Sequence, residues 1–314
     1  MEKVRLLPSR ELTVEITTHC GARCIMCPRH EYGFAWEHMD MELFKDVLRQ
    51  MVELEALSLN TCGFGDIFMD PRLEEKLMYV KKTHPFLKIF ASSTGHLIDE
   101  RKIHLLDYID TLRISMYGTS KEVYESIHRG ALKFEKVMGN IERIIALPKS
   151  KRPYLIMNFL VLPLNRHQVD EFKKYEHRVD EIMIWLPHTF VDTYRAQDGT
   201  KGPMKSCGRP FKGDFLVHVN GDVSVCCFDY NRKLLLGNVR GKSLSAILGG
   251  DELQRIRRVH EQCSFDGSDL ICTKCDQLHD RSDALVYATN RVRRIGVLTS
   301  HPDLVIDVLD GQAH

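Results

Sequence analysis

Hydrophobic and polar positions follow two periods through the first two thirds of this chain. Short apolar runs read as buried strands at 12–17 (LTVEIT), 56–61 (ALSLNT), 87–93 (LKIFASS), 111–117 (TLRISMY), 154–162 (YLIMNFLVL) and 181–187 (EIMIWLP). Between them, apolar residues recur at helical spacing over 41–54, 71–82, 98–108, 120–128, 134–147 and 167–176. Strand–helix alternation predicts an α/β fold with a parallel sheet, rolled into a partial (β/α)6 barrel of TIM type. Six strands fall short of the eight of a complete barrel, and chemistry on such a sheet gathers at the C-terminal ends of its strands.

The pattern changes after Pro187. The polar stretch around 191–206, with Gly and Pro, reads as a linker or lid. FLVHVNGDVSVCC (215–227) then reads as a hairpin turning at Asn220-Gly221. One amphipathic helix is expected over 243–260. The expected domains are therefore a barrel at 1–190, a lid at 191–206, a small hairpin-plus-helix unit at 207–280, and a tail at 281–314. The tail carries no motif and is expected against the open side of the barrel.

Charge narrows the partners. Forty-four basic and 43 acidic side chains leave a formal net charge of +1. That balance gives no general attraction to nucleic acid or to an anionic membrane. No apolar run approaches the roughly 20 residues of a membrane span. The N-terminus has no apolar core of secretory type, so the cytoplasm is the expected location.

Ten cysteines change the picture most. In a long chain without a secretion signal they point to metal or redox chemistry rather than disulfides. They fall in two groups, Cys20, Cys24 and Cys27 in one and six between Cys207 and Cys275 in the other, with Cys62 apart. Two metal sites are the natural reading. The first group, His19-Cys20-Gly-Ala-Arg-Cys24-Ile-Met-Cys27-Pro28, follows the first strand. Three thiolates from one loop hold three irons of a [4Fe–4S] cluster. The fourth iron is then open to a small molecule. A structural zinc loop competes, but it needs four ligands and the fourth would come from far away.

Cx3Cx2C after the first strand of a partial barrel resembles the radical S-adenosylmethionine (radical SAM) enzymes. The resemblance implies SAM chelated at the open iron, and a 5′-deoxyadenosyl radical that takes a hydrogen atom from the substrate. It implies an electron donor of flavodoxin or ferredoxin type. Met26 occupies the apolar place before the third cysteine, near the adenine. Gly63-Phe64-Gly65-Asp66 resembles the glycine-rich motif that receives the methionine ammonium. Asp66 stands where the family has glutamate, which leaves open whether its carboxylate or only backbone carbonyls touch the ammonium. Ser93, Thr94 and Ser115 resemble ribose or carboxylate contacts. Arg129 is matched to the methionine carboxylate and Leu186 to a backbone contact with adenine. Taken one at a time, strand-end serines are more often helix caps, and a lone arginine is more often solvated.

Cys207, Cys226, Cys272 and Cys275, with Gly221 five residues before Cys226, resemble the twitch and SPASM extensions of these enzymes. The resemblance implies one auxiliary [4Fe–4S] cluster; read alone, the set also suits zinc. Cys62 reads as a buried small hydrophobe. If Cys226 faces the cluster, Cys227 on an extended strand faces the other way. It is then inert packing, the favoured reading, or a hydrogen-atom donor; Cys263 is the other speculative donor.

The functional expectation is a radical oxidation of a small polar molecule, a sugar or aminocyclitol, with the auxiliary cluster taking an electron. Epimerisation through Cys227 or Cys263, maturation of a peptide substrate, and a non-catalytic iron–sulfur or zinc scaffold are the alternatives.

Overall fold

A computed structural model describes residues 6–30, 35–187, 203–229, 232–278 and 285–290. Six parallel strands appear in the expected order: β1 (Glu11–Val14), β2 (Ser58–Asn60), β3 (Lys88–Ser93), β4 (Thr111–Ser115), β5 (Tyr154–Leu160) and β6 (Glu181–Trp185). The helices between them are α1 (Met41–Glu53), α2 (Leu73–Thr83), α3 (Lys121–Ile127), α4 (Phe134–Ala146) and the short α5 (Val169–Lys173).

Alternation along the strands separates two faces. Leu12, Val14, Leu59, Ile89, Ala91, Leu112 and Ile114 are buried and join one apolar core with Phe44, Val47, Leu77, Val80, Val137 and Ile141 from α1, α2 and α4. The alternate residues Glu11, Thr13, Ser58, Asn60, Ser92, Arg113 and Ser115 stay half-buried. One face is thus a helix-covered core, and the other is polar.

The sheet does not end at the barrel. Past the short α6 (Arg209–Lys212), β7 (Leu216–Val217) pairs parallel with β1, and β8 (Asp222–Ser224) and β9 (Leu235–Asn238) follow antiparallel. After α7 (Leu244–Leu248) and α8 (Asp251–Glu261), β10 (Leu285–Ala288) pairs antiparallel with β6. The result is one ten-stranded sheet in the order β10-β6-β5-β4-β3-β2-β1-β7-β8-β9. Side chains fasten the hairpin region to the barrel: Leu244 N donates to Gln50 Oε1 at 2.5 Å, and Arg240 pairs with the Asp40 that caps α1.

Four local expectations change. Residues 98–108 form a tighter 3-10 turn over Ile103–Tyr108, which buries the adjacent Leu105 and Leu106 together. Residues 167–176 are one short α-turn between 3-10 turns. The helix expected over 243–260 breaks at Gly249-Gly250, the residues least suited to a helix interior, into α7 and α8. The second hairpin strand stops at Ser224, before the paired cysteines. Of the tail, residues 285–290 are described and supply β10; most of the expected lid, 191–202, lies outside the described residues.

The segment after β2 is pinned by a buried ion pair. Lys76 Nζ of α2 lies 2.5 Å from Asp70 Oδ2, with both side chains almost fully buried. Lys76→Met would leave that carboxylate without its cation, an expected cost of about 3–5 kcal/mol. Urea unfolding of the iron-loaded protein should show the loss, and Asp70→Asn in the same chain should recover part of it.

Candidate functional site

The Cys20–Cys27 loop begins where β1 ends. Arg29, itself buried, draws the loop around its guanidinium: Nη2 donates to the carbonyls of Cys20 at 3.1 Å and Ala22 at 3.2 Å. Ile25 N donates to the Ile127 carbonyl at the end of α3, at 2.9 Å. Met26 packs in a small apolar cluster with Ile127 and Leu162. Burial, then the charge of Asp66, pushes the Cys20 thiol up to about 12. Burial, then the neighbouring Cys27 and Cys20, pushes Cys24 well above its ordinary value. Thiols so placed resist ionising until a cation takes the proton's place, which is what iron ligation does. The donor set fits an iron–sulfur cluster.

The glycine motif lies against this loop. A Cβ on Gly65 would sit 2.3 Å from the Thr17 carbonyl oxygen and 2.6 Å from that of His19. A Cβ on Gly63 would sit 2.7 Å from Glu15 Cγ, so only glycine allows either approach. Asp66 N donates to the His19 carbonyl at 2.8 Å. The Asp66 carboxylate is fully engaged: Phe68 N at 3.1 Å, Ser93 Oγ at 2.9 Å, Thr94 N at 2.9 Å and Thr94 Oγ1 at 2.8 Å all donate to it. Ser93 and Thr94 thus each spend their hydroxyl proton on Asp66 and keep their oxygen lone pairs. Ser115 bonds the Tyr117 hydroxyl, whose ionisation burial raises to about 12. Leu186 is buried past β6. Arg129 is exposed at a left-handed turn, φ 50°, two residues past Ile127.

The second group shares one region of the fold, although among the described residues no three ligating side chains stand close enough to grip a single metal ion. Cys226, Cys272 and Cys275 are buried, and Cys207 lies within electrostatic reach of all three. Burial, then Cys207, pushes Cys272 up to about 12; burial and then Asp276 raise Cys275. Four such thiols match the one-thiolate-per-iron demand of a cluster.

Cys226 and Cys227 do not lie on opposite faces of a strand. With β8 finished at Ser224, the chain turns, and Asp229 N reaches back to the Cys226 carbonyl at 3.2 Å. The two sulfurs share a hydrogen bond, and Phe228 N donates to Cys226 Sγ at 3.3 Å. The bond to Cys226 Sγ, followed by the nearby Arg209, holds the Cys227 thiol below its ordinary value despite burial. Cys227 packs on Phe64 and Leu216, at the junction of the glycine motif and the hairpin. Cys62, at the end of β2, is within electrostatic reach of Cys227. Cys263 is exposed after α8 and donates to the His260 carbonyl at 3.7 Å.

Several site residues were not anticipated. Glu15, fully buried, accepts from Phe64 N at 2.9 Å and lies 3.3 Å from His218 Nδ1 of the hairpin. Arg209 is buried over the Phe228 ring, 3.8 Å from Cys227 Sγ and 3.6 Å from Asp214. The signal was present: a charge inside an apolar run, as in LTVEIT, FLVHV and TLRIS, is expensive unless it has a partner.

The family profile of the radical SAM superfamily matches residues 14–175, just over half of the chain. That of an iron–sulfur cluster-binding domain (SPASM) matches 207–276. Among curated proteins, an S-adenosyl-L-methionine-dependent 2-deoxy-scyllo-inosamine dehydrogenase of Niallia circulans is 23% identical over 273 residues, 85% of this chain and 92% of its own length. A GTP 3′,8-cyclase of Clostridium botulinum (strain Okra / Type B1) is 24% identical over 171 residues; the alignment covers 52% of this chain and about half of that protein, 53%. Among solved structures, BtrN in complex with AdoMet and 2-DOIA superposes with a TM-score of 0.62 at 17% identity, covering 88% of this chain and 94% of that one. Among the described residues, no helix is long and apolar enough to cross a membrane.

Gly65→Ala should push the motif off the cysteine loop by about 1 Å and slow reductive cleavage of SAM on the order of 100-fold. The iron content should stay near that of the parent; rapid-quench assay of 5′-deoxyadenosine checks the first outcome and iron analysis the second.

Proposed function

The chain belongs to the radical SAM superfamily and carries a SPASM-type cluster-binding domain, and from that premise we propose that it oxidises a small polar substrate such as a sugar or aminocyclitol. Cys20, Cys24 and Cys27 hold the cluster that binds SAM. The backbone of Gly63 to Asp66, with Met26, Ser93, Thr94, Ser115, Arg129 and Leu186, positions SAM beside it. Cys207, Cys226, Cys272 and Cys275 hold the auxiliary cluster. Bound together, the first cluster and SAM supply the 5′-deoxyadenosyl radical that removes one hydrogen atom from a substrate carbon.

The observation that carries the oxidation reading is the four-thiol set. One thiolate for each iron leaves no vacancy for substrate, so this group suits the acceptance of an electron. Turning an alcohol or amine carbon into a carbonyl or imine removes two electrons and two protons. One electron and one proton leave as the hydrogen atom. The second proton goes to Asp214 at the barrel–hairpin junction, whose carboxyl burial pushes up. The Niallia circulans dehydrogenase, alike over most of both lengths, supports the same class of reaction. A flavodoxin- or ferredoxin-type protein is the proposed reductant.

One observation favours epimerisation as a second reading. Cys227 packs on Phe64 of the motif that positions SAM, where a thiol suits return of a hydrogen atom. Cys263 is exposed and suits that role less.

The reconstituted enzyme should hold about eight irons per chain, and a Cys226→Ala variant about four. Incubation of 2-deoxy-scyllo-inosamine and related polyols in deuterated water then separates the readings. Oxidation yields a carbonyl product in step with 5′-deoxyadenosine, and Cys227→Ala retains it. Solvent deuterium at an inverted carbon, lost in Cys227→Ala, would replace oxidation by epimerisation. Zinc in place of iron would sink both.

A further inference from the structure

The polar face of the sheet carries a cation with no anion. Arg113 sits mid-strand on β4, half-buried, one same-face position below Ser115. Its Nε donates to Ser92 Oγ at 2.8 Å and its Nη2 to Cys62 Sγ at 3.7 Å. Its guanidinium lies 5.3 Å from the centre of the Phe90 ring. Hydroxyl, thiol and ring hold the group in one orientation, and none of them neutralises it. Among the described residues no carboxylate forms an ion pair with Arg113. The nearby Glu11 is instead bonded by Ser58 Oγ at 3.1 Å and Asn60 Nδ2 at 3.0 Å.

A guanidinium has five donors in a planar fork that matches carboxylate and phosphate oxygens two at a time. Ser92 and Cys62 use two. A charge removed from water without a partner is costly, so a fixed cation of this kind is poised for an anion that arrives with a ligand.

A second observation lies on the same face. Asn158 pairs laterally with Ser115 on one side and Met183 on the other, and Trp185 stands two residues beyond Met183. Laterally paired residues of a parallel sheet face the same side. Asn158 Oδ1 and Trp185 Nε1 are both buried, and among the described residues neither has a hydrogen-bond partner. One acceptor and one donor are thus left open beside the unpaired cation. An uncharged polyol would satisfy the first two and leave Arg113 uncompensated.

We propose that this face is a substrate subsite for an anionic group, a carboxylate or a phosphate, gripped by Arg113, with Asn158 and Trp185 bonding hydroxyls of the same molecule. The inference rests on the small-polar-substrate reading above and narrows its class to anionic members, a sugar acid or sugar phosphate, in place of the neutral sugar or aminocyclitol named there.

The test uses three probes of one skeleton, glucose, glucuronate and glucose 6-phosphate. Each is titrated calorimetrically into the anaerobic iron-loaded enzyme with SAM present. At least one anionic probe should bind about tenfold or more tighter than glucose, about 1.4 kcal/mol; the tighter of the two names the anion. Arg113→Gln should abolish that preference. Arg113→Lys keeps the charge but loses the fork, and should weaken the anion at least about threefold while leaving glucose unchanged; it carries the test should Arg113→Gln lose its iron. Equal binding of all three, no binding of any, or anion affinity unchanged in Arg113→Lys overturns the subsite. Formation of 5′-deoxyadenosine by the dithionite-reduced parent enzyme, with each probe and without any, is measured in parallel. Its absence alongside a firm anion preference would remove the radical reading and leave the subsite standing; the converse removes only the subsite.

Discussion

A carboxylate buried within a sheet costs several kcal/mol unless hydrogen bonds and opposite charge offset it. Glu15 is such a group, and its neighbours explain why the molecule is joined where it is. One oxygen takes the backbone N–H of Phe64, which fixes the glycine motif. The other faces His218, and Arg232 lies 3.9 Å away. A carboxylate can only accept, so the proton between them belongs on His218 Nδ1, while Nε2 lies 2.6 Å from Ser224 Oγ. The same carboxylate therefore orders a loop on the barrel side and a hairpin on the cluster side. Phe64 and His218 also stack, with ring centres 5.9 Å apart.

Around that seam the chemistry becomes local. The glycine motif reaches the first cysteine loop through Asp66 N and the His19 carbonyl. The hairpin brings Cys227 onto Phe64, and Arg209 lies close to Cys227, Cys226 and Cys207 together. Cys62 and Arg113 close the polar face from the β2 and β4 side. Groups far apart in sequence thus share one junction, because β7 pairs with β1 rather than forming a detached unit.

Much of this was legible in the chain. The six parallel strands follow from apolar runs separated by helical periods, and the cysteine spacings pointed to iron–sulfur chemistry. What stayed hidden was tertiary. Nothing in VSVCC says that the strand stops at Ser224, since Val and Cys both suit a strand; the turn appears only once Asp229 and Cys226 pair. Nor can a sequence show that Asp66, one methylene shorter than glutamate, takes hydrogen bonds from the hydroxyls of Ser93 and Thr94. β10 was illegible for another reason: an edge strand of four residues, Leu285–Ala288, is defined by its partner β6 and not by its own period.

The unbroken sheet has a kinetic consequence. Electron tunnelling between two centres falls off exponentially with their separation. Enzymes whose redox centres ride on hinged domains must therefore wait for a favourable approach. Here the strand that leads into the first cysteine loop is hydrogen-bonded directly to the strand that opens the hairpin, Thr13 beside Leu216 and Val14 beside Val217. The two cysteine-bearing segments thus start from neighbouring rungs of one β-ladder, and a hinge motion at this point would have to break those hydrogen bonds.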